Sequence, residues 1–311
     1  MPLKYAVIGS GAIGGFYGAK LANTGQSVHF LFHSDYQYVK EHGLQINSVE
    51  KEFHLPKVNC YQSTAEMPVA DVVLVALKTT NNHLLKEMLP PILHPETVVV
   101  LIQNGMGMEE DLAAEFPQLN IAGGMAFIAS SKQGPGTVLH QDYGKLTLAS
   151  YNIREKELLQ QIYKDFTETK LETVIAPDLA SVRWQKLQWN IPFNGLTVAL
   201  NTTTDRIVSH QEASRLSEDL MREVVLASQA CQVSYPIQET AIKEMMETTR
   251  RMTPYAPSMK LDYDFRREME IHYIYERPIA IAAQHGFKME KTEMLAQMLR
   301  FKENKYSLLE F

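Results

Sequence analysis

The feature that most constrains the fold is a glycine-rich loop directly after the first apolar run. Residues 5–8 have the composition of a buried strand and residues 16–22 that of a helix. Between them the chain reads G-x-G-x-x-G. In a strand–loop–helix unit these glycines permit a tight turn, a close approach of the backbone to a pyrophosphate, and close packing of the helix on the strand. The sequence therefore predicts a dinucleotide-binding loop formed by Gly9, Ser10, Gly11, Ala12, Ile13 and Gly14.

Strand and helix patterns alternate to about residue 150, and long helical patterns replace them after about residue 176. Strand patterns cover residues 5–9, 27–32, 72–77, 98–102, 121–126 and 146–149, and the later helical patterns cover residues 209–231, 237–252 and 268–285. Residues 134–140 have the turn residues and alternation of a hairpin arm. We predict an α/β protein with an N-terminal Rossmann-type doubly wound sheet, residues 1–178, that binds the dinucleotide. Residues 179–311 are predicted to be an all-helical domain for substrate binding and catalysis.

Composition and spacing argue against several other classes of protein. Thirty Lys plus Arg against 36 Asp plus Glu give a net charge of −6 without a basic block, which argues against nucleic acid as a partner. The apolar runs are far shorter than the roughly 20 residues of a membrane-spanning helix. The two cysteines form no C-x-x-C pair and the ten histidines no H-E-x-x-H motif, so we expect no metal site. A cytoplasmic location is the expectation, because no secretory signal pattern is seen.

The end of the second predicted strand bears on which dinucleotide is bound. An acidic residue at this place usually binds the ribose 2′-hydroxyl of NAD, whereas an arginine accommodates the 2′-phosphate of NADP. Here the chain reads His33, Ser34 and Asp35. The first two can hold a phosphate and the third can bind a bare ribose. These residues alone leave NADP and NAD both open.

A second group of polar residues lies in the predicted helical domain. Lys186, Asn190 and Asn194 are spaced four residues apart, so on a helix they form one polar row among Trp, Leu and Phe side chains. Such a row suits a carbonyl substrate, but it is equally typical of a solvated helix face. Pro192 lies inside the row, where proline removes a helical hydrogen bond, and we expect a kink there.

Four separated motifs together resemble the ketopantoate reductase (2-dehydropantoate 2-reductase) family over essentially the whole chain. They are the loop at residues 9–14, Leu77-Lys78-Thr79 with Gln103-Asn104-Gly105, the Lys186/Asn190/Asn194 row, and Pro257-Ser258-Met259 followed by Asp262 and Glu270. The segment at residues 134–140 resembles the hairpin of that family as well.

The resemblance implies an enzyme that uses NADPH to reduce the C2 ketone of 2-dehydropantoate, a small 2-oxo acid, to (R)-pantoate on the route to pantothenate and coenzyme A. Lys186 would be the general acid, and at a free pKa of about 10.4 it would start the reaction protonated. Glu270 would share the catalytic pocket and anchor a substrate hydroxyl. Asn190 and Asn194 would bind the same polar end, and Ser258 would bind the substrate carboxylate.

The resemblance also implies residues for the cofactor. Asn104 would contact substrate and cofactor and orient the lysine, Lys78 would lie beside the nicotinamide half, and His33 would lie at the 2′-phosphate. Family members are often dimers, so a homodimer is expected.

Two departures from the family pattern keep alternatives open. The family commonly has an arginine where this chain has His33, so NADP is favoured while NAD stays possible. The family usually has a glycine a few residues after Glu270, whereas this chain reads Ile274-Tyr275-Glu276 there. The bulkier side chains could reshape the wall of the pocket, and the substrate would then be another short 2-oxo acid. A third interpretation is a non-enzymatic NADP(H)-binding protein that has lost catalysis.

Overall fold

The computed structural model describes residues 2–254 and 256–304 of the 311-residue chain. It divides into two compact units. The first contains the residues up to Gln103 together with Glu109–Leu179, and the second contains Asn104–Met108 together with the residues from Ala180 onward. The short segment Asn104–Met108 therefore belongs to the second unit, although the chain on both sides of it belongs to the first.

Within the described residues, the first unit is built on a ten-stranded sheet. Its strands are β1 (Lys4–Ile8), β2 (Ser27–Leu31), β3 (Leu44–Ser48), β4 (Phe53–Leu55), β5 (Asn59–Tyr61), β6 (Val72–Val75), β7 (Val98–Leu101), β8 (Asn120–Gly134), β9 (Thr137–Ser150) and β10 (Thr173–Ile175). They are arranged in the order β4-β3-β9-β8-β7-β6-β1-β2-β5, with β10 paired to β9. All neighbours are parallel except the pairs β3/β4 and β8/β9.

Helices connect the strands of this sheet. They are α1 (Ala12–Asn23), α2 (Tyr36–His42), α3 (Leu85–Met88), α4 (Met108–Glu115) and α5 (Lys156–Glu168). The central strands β6 and β7 are continuous apolar runs in which every residue is buried, as expected for parallel strands covered on both faces. The predicted Rossmann-type sheet is confirmed.

The antiparallel pair β8/β9 is a hairpin whose turn lies between Gly134 and Thr137. The hairpin arm predicted at residues 134–140 is confirmed, but its strands are much longer than the predicted runs at residues 121–126 and 146–149. The outer half of β8 is polar, so the apolar pattern stops before the strand does. The first residues of β9 also pair with β3, which adds a parallel neighbour to this part of the hairpin.

The described residues of the second unit form helices joined by loops and contain no strand, which confirms the predicted all-helical domain. Its helices are α6 (Leu179–Ala199), α7 (Thr204–Ser209), α8 (Gln211–Ala230), α9 (Thr240–Arg251), α10 (Ser258–Asp264), α11 (Arg277–Gln284) and α12 (Glu290–Asn304), and a π-helical turn (His272–Glu276) leads into α11. The helix predicted over residues 268–285 is shorter, so Glu270 lies just before it. Among the described helices, none has the length and apolar character needed to cross a membrane.

Candidate active site

The glycine loop joins β1 to α1 in the first unit, and its geometry explains two of its glycines. Gly9 has φ +89°, and a Cβ there would lie 2.5 Å from the backbone nitrogen of Leu77. A Cβ on Gly14 would lie 2.4 Å from the carbonyl oxygen of Gly9. Neither position tolerates a side chain without movement of the backbone. The tight turn and the close packing of helix on strand therefore both depend on glycine.

Gly11 has a different role, because it borders open space. The described part of the chain places no heavy atom within 4 Å of a Cβ built there, its own neighbours aside. Among the described residues, no side chain caps α1, and its first turn carries no acidic residue. The first amides of any helix lack intrahelical partners. Ser10 Oγ is buried and has no hydrogen-bond partner among the described residues. An open cradle with free donors at a helix N-terminus fits the pyrophosphate of a dinucleotide.

The predicted cofactor residues lie at the ends of three adjacent parallel strands. Strand β1 lies between β2 and β6, so the glycine loop, exposed His33 and partly buried Lys78 follow neighbouring strands at one edge of the sheet. Gln103 Nε2 donates to the carbonyl oxygen of Leu77 at 2.9 Å and thereby supports the loop that carries Lys78. The structure thus brings these three parts of the predicted cofactor site together.

Asp35, whose carboxylate could bind the ribose of NAD, already accepts hydrogen bonds from other residues of the protein. Its carboxylate is buried, and it accepts hydrogen bonds from Lys132 Nζ at 2.7 Å, the Ser34 hydroxyl at 3.0 Å and the Gly136 amide at 3.1 Å. Burial raises the pKa of Asp35, but these hydrogen bonds outweigh it and hold the pKa below its ordinary value. Asp35 is therefore an ionised carboxylate that ties the loop after β2 to the hairpin.

In the second unit, the predicted polar row lies on one helix. Lys186, Asn190 and Asn194 are all in α6, which continues through Pro192. Burial, and secondarily the nearby Arg183, lower the pKa of Lys186 to about 8. This pKa is lower than the free value of about 10.4, because the free value takes no account of desolvation. The effect of Arg183 on Lys186 was not predicted from the sequence. The only sign of it there is a second cation three residues before Lys186.

Both asparagines of the row are buried, so it is not a solvated face. Asn194 Oδ1 accepts a hydrogen bond from the Met259 amide at 3.2 Å, which brings the start of α10, and with it Ser258, to α6. Asn190 Nδ2 is buried and has no hydrogen-bond partner within residues 2–254 and 256–304. A buried amide without a partner is costly, and it is a natural donor for a ligand oxygen.

The segment Asn104–Met108 packs on the π-helical turn that follows Glu270. The Met106 amide donates to the Tyr273 carbonyl oxygen at 2.9 Å, and Arg277 Nη2 donates to the Gly107 carbonyl oxygen at 3.2 Å. Gly105 has φ +103°, and a Cβ there would lie 2.5 Å from the Tyr273 carbonyl oxygen. The segment that begins at Asn104 is thus anchored at Tyr273, which lies three residues after buried Glu270. Neither Tyr273 nor Arg277 was predicted, because the contacts join residues far apart in the chain.

Tyr275 occupies the part of the chain that departs from the family pattern. Its ring is fully buried, and its hydroxyl donates to the Ile191 carbonyl oxygen on α6 at 2.9 Å. The same hydroxyl lies 2.7 Å from a Cβ built on Gly195. The π-helical turn is therefore held against α6 at Ile191 and Gly195, the residues that directly follow its two asparagines.

Within the described residues, no group of three or more His, Cys, Asp or Glu side chains is placed to hold a metal ion.

A parallel sheet that carries a glycine loop at the end of β1 defines the class of Rossmann-type dinucleotide-binding proteins. The helical second unit adds a partly buried lysine and two buried amides on one helix.

Comparison with known proteins specifies the family. Models described as ketopantoate reductase PanE/ApbA and its C-terminal domain match residues 5–152 and 178–303. A 2-dehydropantoate 2-reductase of Nostoc sp. is 42% identical over 96% of this chain and 94% of its own length. The crystal structure of 2-dehydropantoate 2-reductase from Geobacter metallireducens has a TM-score of 0.93 at 35% identity, covering 96% of this chain and 99% of that one.

This chain belongs to the ketopantoate reductase family. It is an oxidoreductase that uses a pyridine nucleotide, and the non-enzymatic interpretation is set aside. A ternary structure of D-mandelate dehydrogenase with NADH has the same fold, with a TM-score of 0.89 at 21% identity and coverage of 97% and 99% of the two chains.

Proposed function

We propose that this protein catalyses the NADPH-dependent reduction of 2-dehydropantoate to (R)-pantoate, the step that leads towards pantothenate and coenzyme A. The observation that carries the proposal is Lys186, whose pKa is lowered to about 8 on a helix that it shares with two buried amides. That arrangement provides a proton donor beside fixed hydrogen-bonding groups, as a ketone undergoing reduction requires. In this proposal residues 1–178 hold the cofactor and residues 179–311 hold the substrate, with Asn104 contributed from within the first range.

Lys186 acts as the general acid. When bound, the nicotinamide supplies a hydride to the carbonyl carbon. The Lys186 ammonium donates a proton to the carbonyl oxygen as negative charge develops there, and its own positive charge stabilises that oxygen. With a pKa of about 8, the group is protonated in roughly nine molecules of ten at pH 7 and still releases its proton more readily than an ordinary lysine.

The remaining predicted residues bind and orient the substrate. Glu270 accepts a hydrogen bond from the substrate hydroxyl, and Ser258 donates one to the carboxylate. Asn190 Nδ2 donates to a substrate oxygen, which would satisfy its unmet hydrogen-bonding capacity. Asn194 supports this end through its bond to the Met259 amide, and Asn104 orients Lys186 and the cofactor.

NADPH is favoured over NADH because of Asp35. A dehydrogenase selective for NAD needs a carboxylate available to the ribose hydroxyls. Here the Asp35 carboxylate is buried and accepts three hydrogen bonds from its surroundings. Gly9, Ser10, Gly11, Ala12, Ile13 and Gly14 bind the pyrophosphate, His33 lies at the 2′-phosphate and Lys78 lies beside the nicotinamide half.

The test is a set of kcat/KM values for NADPH and NADH with ketopantoate, pyruvate and 3,3-dimethyl-2-oxobutanoate. The last compound is ketopantoate without its hydroxyl, and it is therefore a matched control for the contact with Glu270. We expect a preference for ketopantoate over this analogue of about a hundredfold or more, because the analogue leaves a buried carboxylate without its partner. Equal values would favour another short 2-oxo acid as the substrate, in line with the departure from the family pattern at Tyr275.

A homodimer is part of the proposal. Met294, Met298 and Phe301 are exposed by 54%, 43% and 71%, and their spacing places them on one face of α12. An exposed apolar stripe of this kind is typical of a protein–protein contact. Light scattering after size-exclusion chromatography should give twice the chain mass, and Phe301→Glu should lower it towards one. The cytoplasmic location stays a prediction.

A further inference from the structure

Asp35 and Lys132 form an ion pair that joins the loop after β2 to the hairpin. Lys132 Nζ lies 2.7 Å from one carboxylate oxygen of Asp35 and 2.6 Å from the other. The Asp35 side chain is only 8% exposed, whereas the Lys132 side chain is 38% exposed. The carboxylate is therefore enclosed, while part of the lysine faces solvent. An ammonium has three N–H donors, so a two-oxygen contact with Asp35 leaves one for another acceptor.

The position of Lys132 points to the cofactor. Lys132 lies on β8 two residues after Ser130, so the two side chains are on the same face of the strand. Ser130 Oγ donates to the carbonyl oxygen of Ala12, the first residue of α1, at 3.4 Å. Strand β1 pairs with β2 as far as Ile8 and Leu31, so Asp35 follows the strand next to the glycine loop. Lys132 and Asp35 are thus placed at the part of the sheet edge where the adenosine ribose of a dinucleotide lies.

We propose that Lys132 is the residue that makes this enzyme prefer NADPH. Its pairing with Asp35 occupies the carboxylate that would otherwise bind the ribose hydroxyls of NADH or repel a 2′-phosphate. The third N–H donor of Lys132 binds the 2′-phosphate. The proposal rests on the proposed function, since it explains how a chain with His33 in place of the family's arginine binds NADPH: the cation comes from the hairpin instead.

The experiment measures the dissociation constants of NADPH and NADH by their fluorescence, without any oxo acid. In K132M we expect the dissociation constant of NADPH to rise about tenfold, which corresponds to about 1.4 kcal/mol, while that of NADH should stay the same or fall, because the Asp35 carboxylate is released for the ribose hydroxyls. The matched control is K145M. Lys145 lies on the other strand of the hairpin, is 40% exposed and pairs with Glu172 at 2.6 Å, so its loss should leave both constants unchanged.

A second pair of variants separates the binding role from a purely structural one, and it avoids leaving a buried charge without a partner. In D35N the lysine is released from its carboxylate, so the preference for NADPH should be kept or should increase. In the double variant K132M/D35N the preference should fall about tenfold relative to D35N. If Lys132 only tied the hairpin down, both cofactors would weaken together, and an unchanged ratio of the two constants would overturn the proposal.

These measurements distinguish a failure of the role proposed for Lys132 from a failure of the proposed function. A wild-type protein that binds NADPH selectively but does not reduce ketopantoate would refute the substrate and leave Lys132 as the selectivity residue. A wild-type protein without selectivity for NADPH would refute the cofactor assignment and the role of Lys132 together.

Discussion

The glycine loop of the first unit and the polar row on α6 in the second unit are built in opposite ways. The loop presents backbone amides, and its residues matter mainly for the side chains that they lack: Gly11 borders open space, and Gly9 and Gly14 have no room for a Cβ. The row on α6 presents side chains, and it depends on burial to change the properties of Lys186 and Asn190.

This difference has a consequence for what each part can tolerate. A site made of backbone depends on the path of the chain, so its signature is a short spacing of glycines that can be recognised locally. A site made of buried side chains depends on everything packed around it. Substitutions in the loop should therefore weaken binding of the whole dinucleotide. Substitutions around α6 should instead affect the rate of the chemical step or the binding of the oxo acid.

The largest effect expected is from Lys186→Ala. Without the general acid and its charge, kcat/KM should fall about a thousandfold, within the usual range for such groups. The dissociation constant of NADPH should change by less than about twofold. Lys243→Ala, at an exposed lysine of α9, is the matched control and should leave both quantities unchanged. A Lys186→Ala enzyme that keeps most of its activity would show that the row on α6 does not supply the proton.

Gly11→Ala should separate binding from folding at the loop. Gly11 has φ −83° and open space beside it, so alanine fits the protein but fills room that a pyrophosphate needs. The dissociation constants of NADPH and NADH should both rise about tenfold to a hundredfold, with little change in Tm. Gly9→Ala is the contrasting variant: with φ +89° and a contact at 2.5 Å it should lower the stability itself, by about 1 kcal/mol or more. If the two variants behaved alike, the loop would be structural only.

The pH dependence of turnover should report the lowered pKa of Lys186. Only the protonated lysine can donate a proton, so kcat/KM should be level below about pH 8 and fall as the pH rises through it. One unit above the pKa the value should be about tenfold below its plateau. NADPH binding, measured over the same range, is the control and should not follow this profile. A level profile beyond pH 9.5 would mean that burial does not lower the pKa of this lysine.

The smallest effect expected is from Tyr275→Phe, which removes one hydroxyl. Loss of its bond to the Ile191 carbonyl oxygen should lower the free energy of unfolding by about 1 kcal/mol. Because that bond holds the π-helical turn against α6 between Asn190 and Asn194, KM for the oxo acid should rise about threefold, with NADPH affinity unchanged. Tyr235→Phe, at an exposed tyrosine, is the control. A change in NADPH affinity instead would place Tyr275 with the cofactor.

Much of the fold could be predicted from the sequence because the relevant signals are local. The apolar runs of β1, β6 and β7 and the helical patterns of the second unit identified the two fold types directly. The length of the hairpin was underestimated because residues such as Ser130 and Lys132 make the outer half of β8 polar. This half is a strand because it pairs with β9.

The site was predictable to a more limited extent. The glycine loop and the spacing of the α6 row are local patterns, and the family resemblance supplied roles for the other residues, which stay predictions. The engagement of Asp35 could not be foreseen, because its partner Lys132 lies 97 positions away in the chain. The lowered pKa of Lys186 is likewise a property of its surroundings, because desolvation depends on which elements pack around the side chain.

The segment Asn104–Met108 has a practical consequence for dividing this protein. Because five residues from within the first unit are packed in the second, no single cut of the gene yields two fragments that each contain one whole unit. A fragment ending near Leu179 would retain the Met106 amide and the Gly107 carbonyl oxygen, while Tyr273 and Arg277 would be lost with the other fragment. Neither half should then reproduce its part of the intact enzyme unless the two are expressed together.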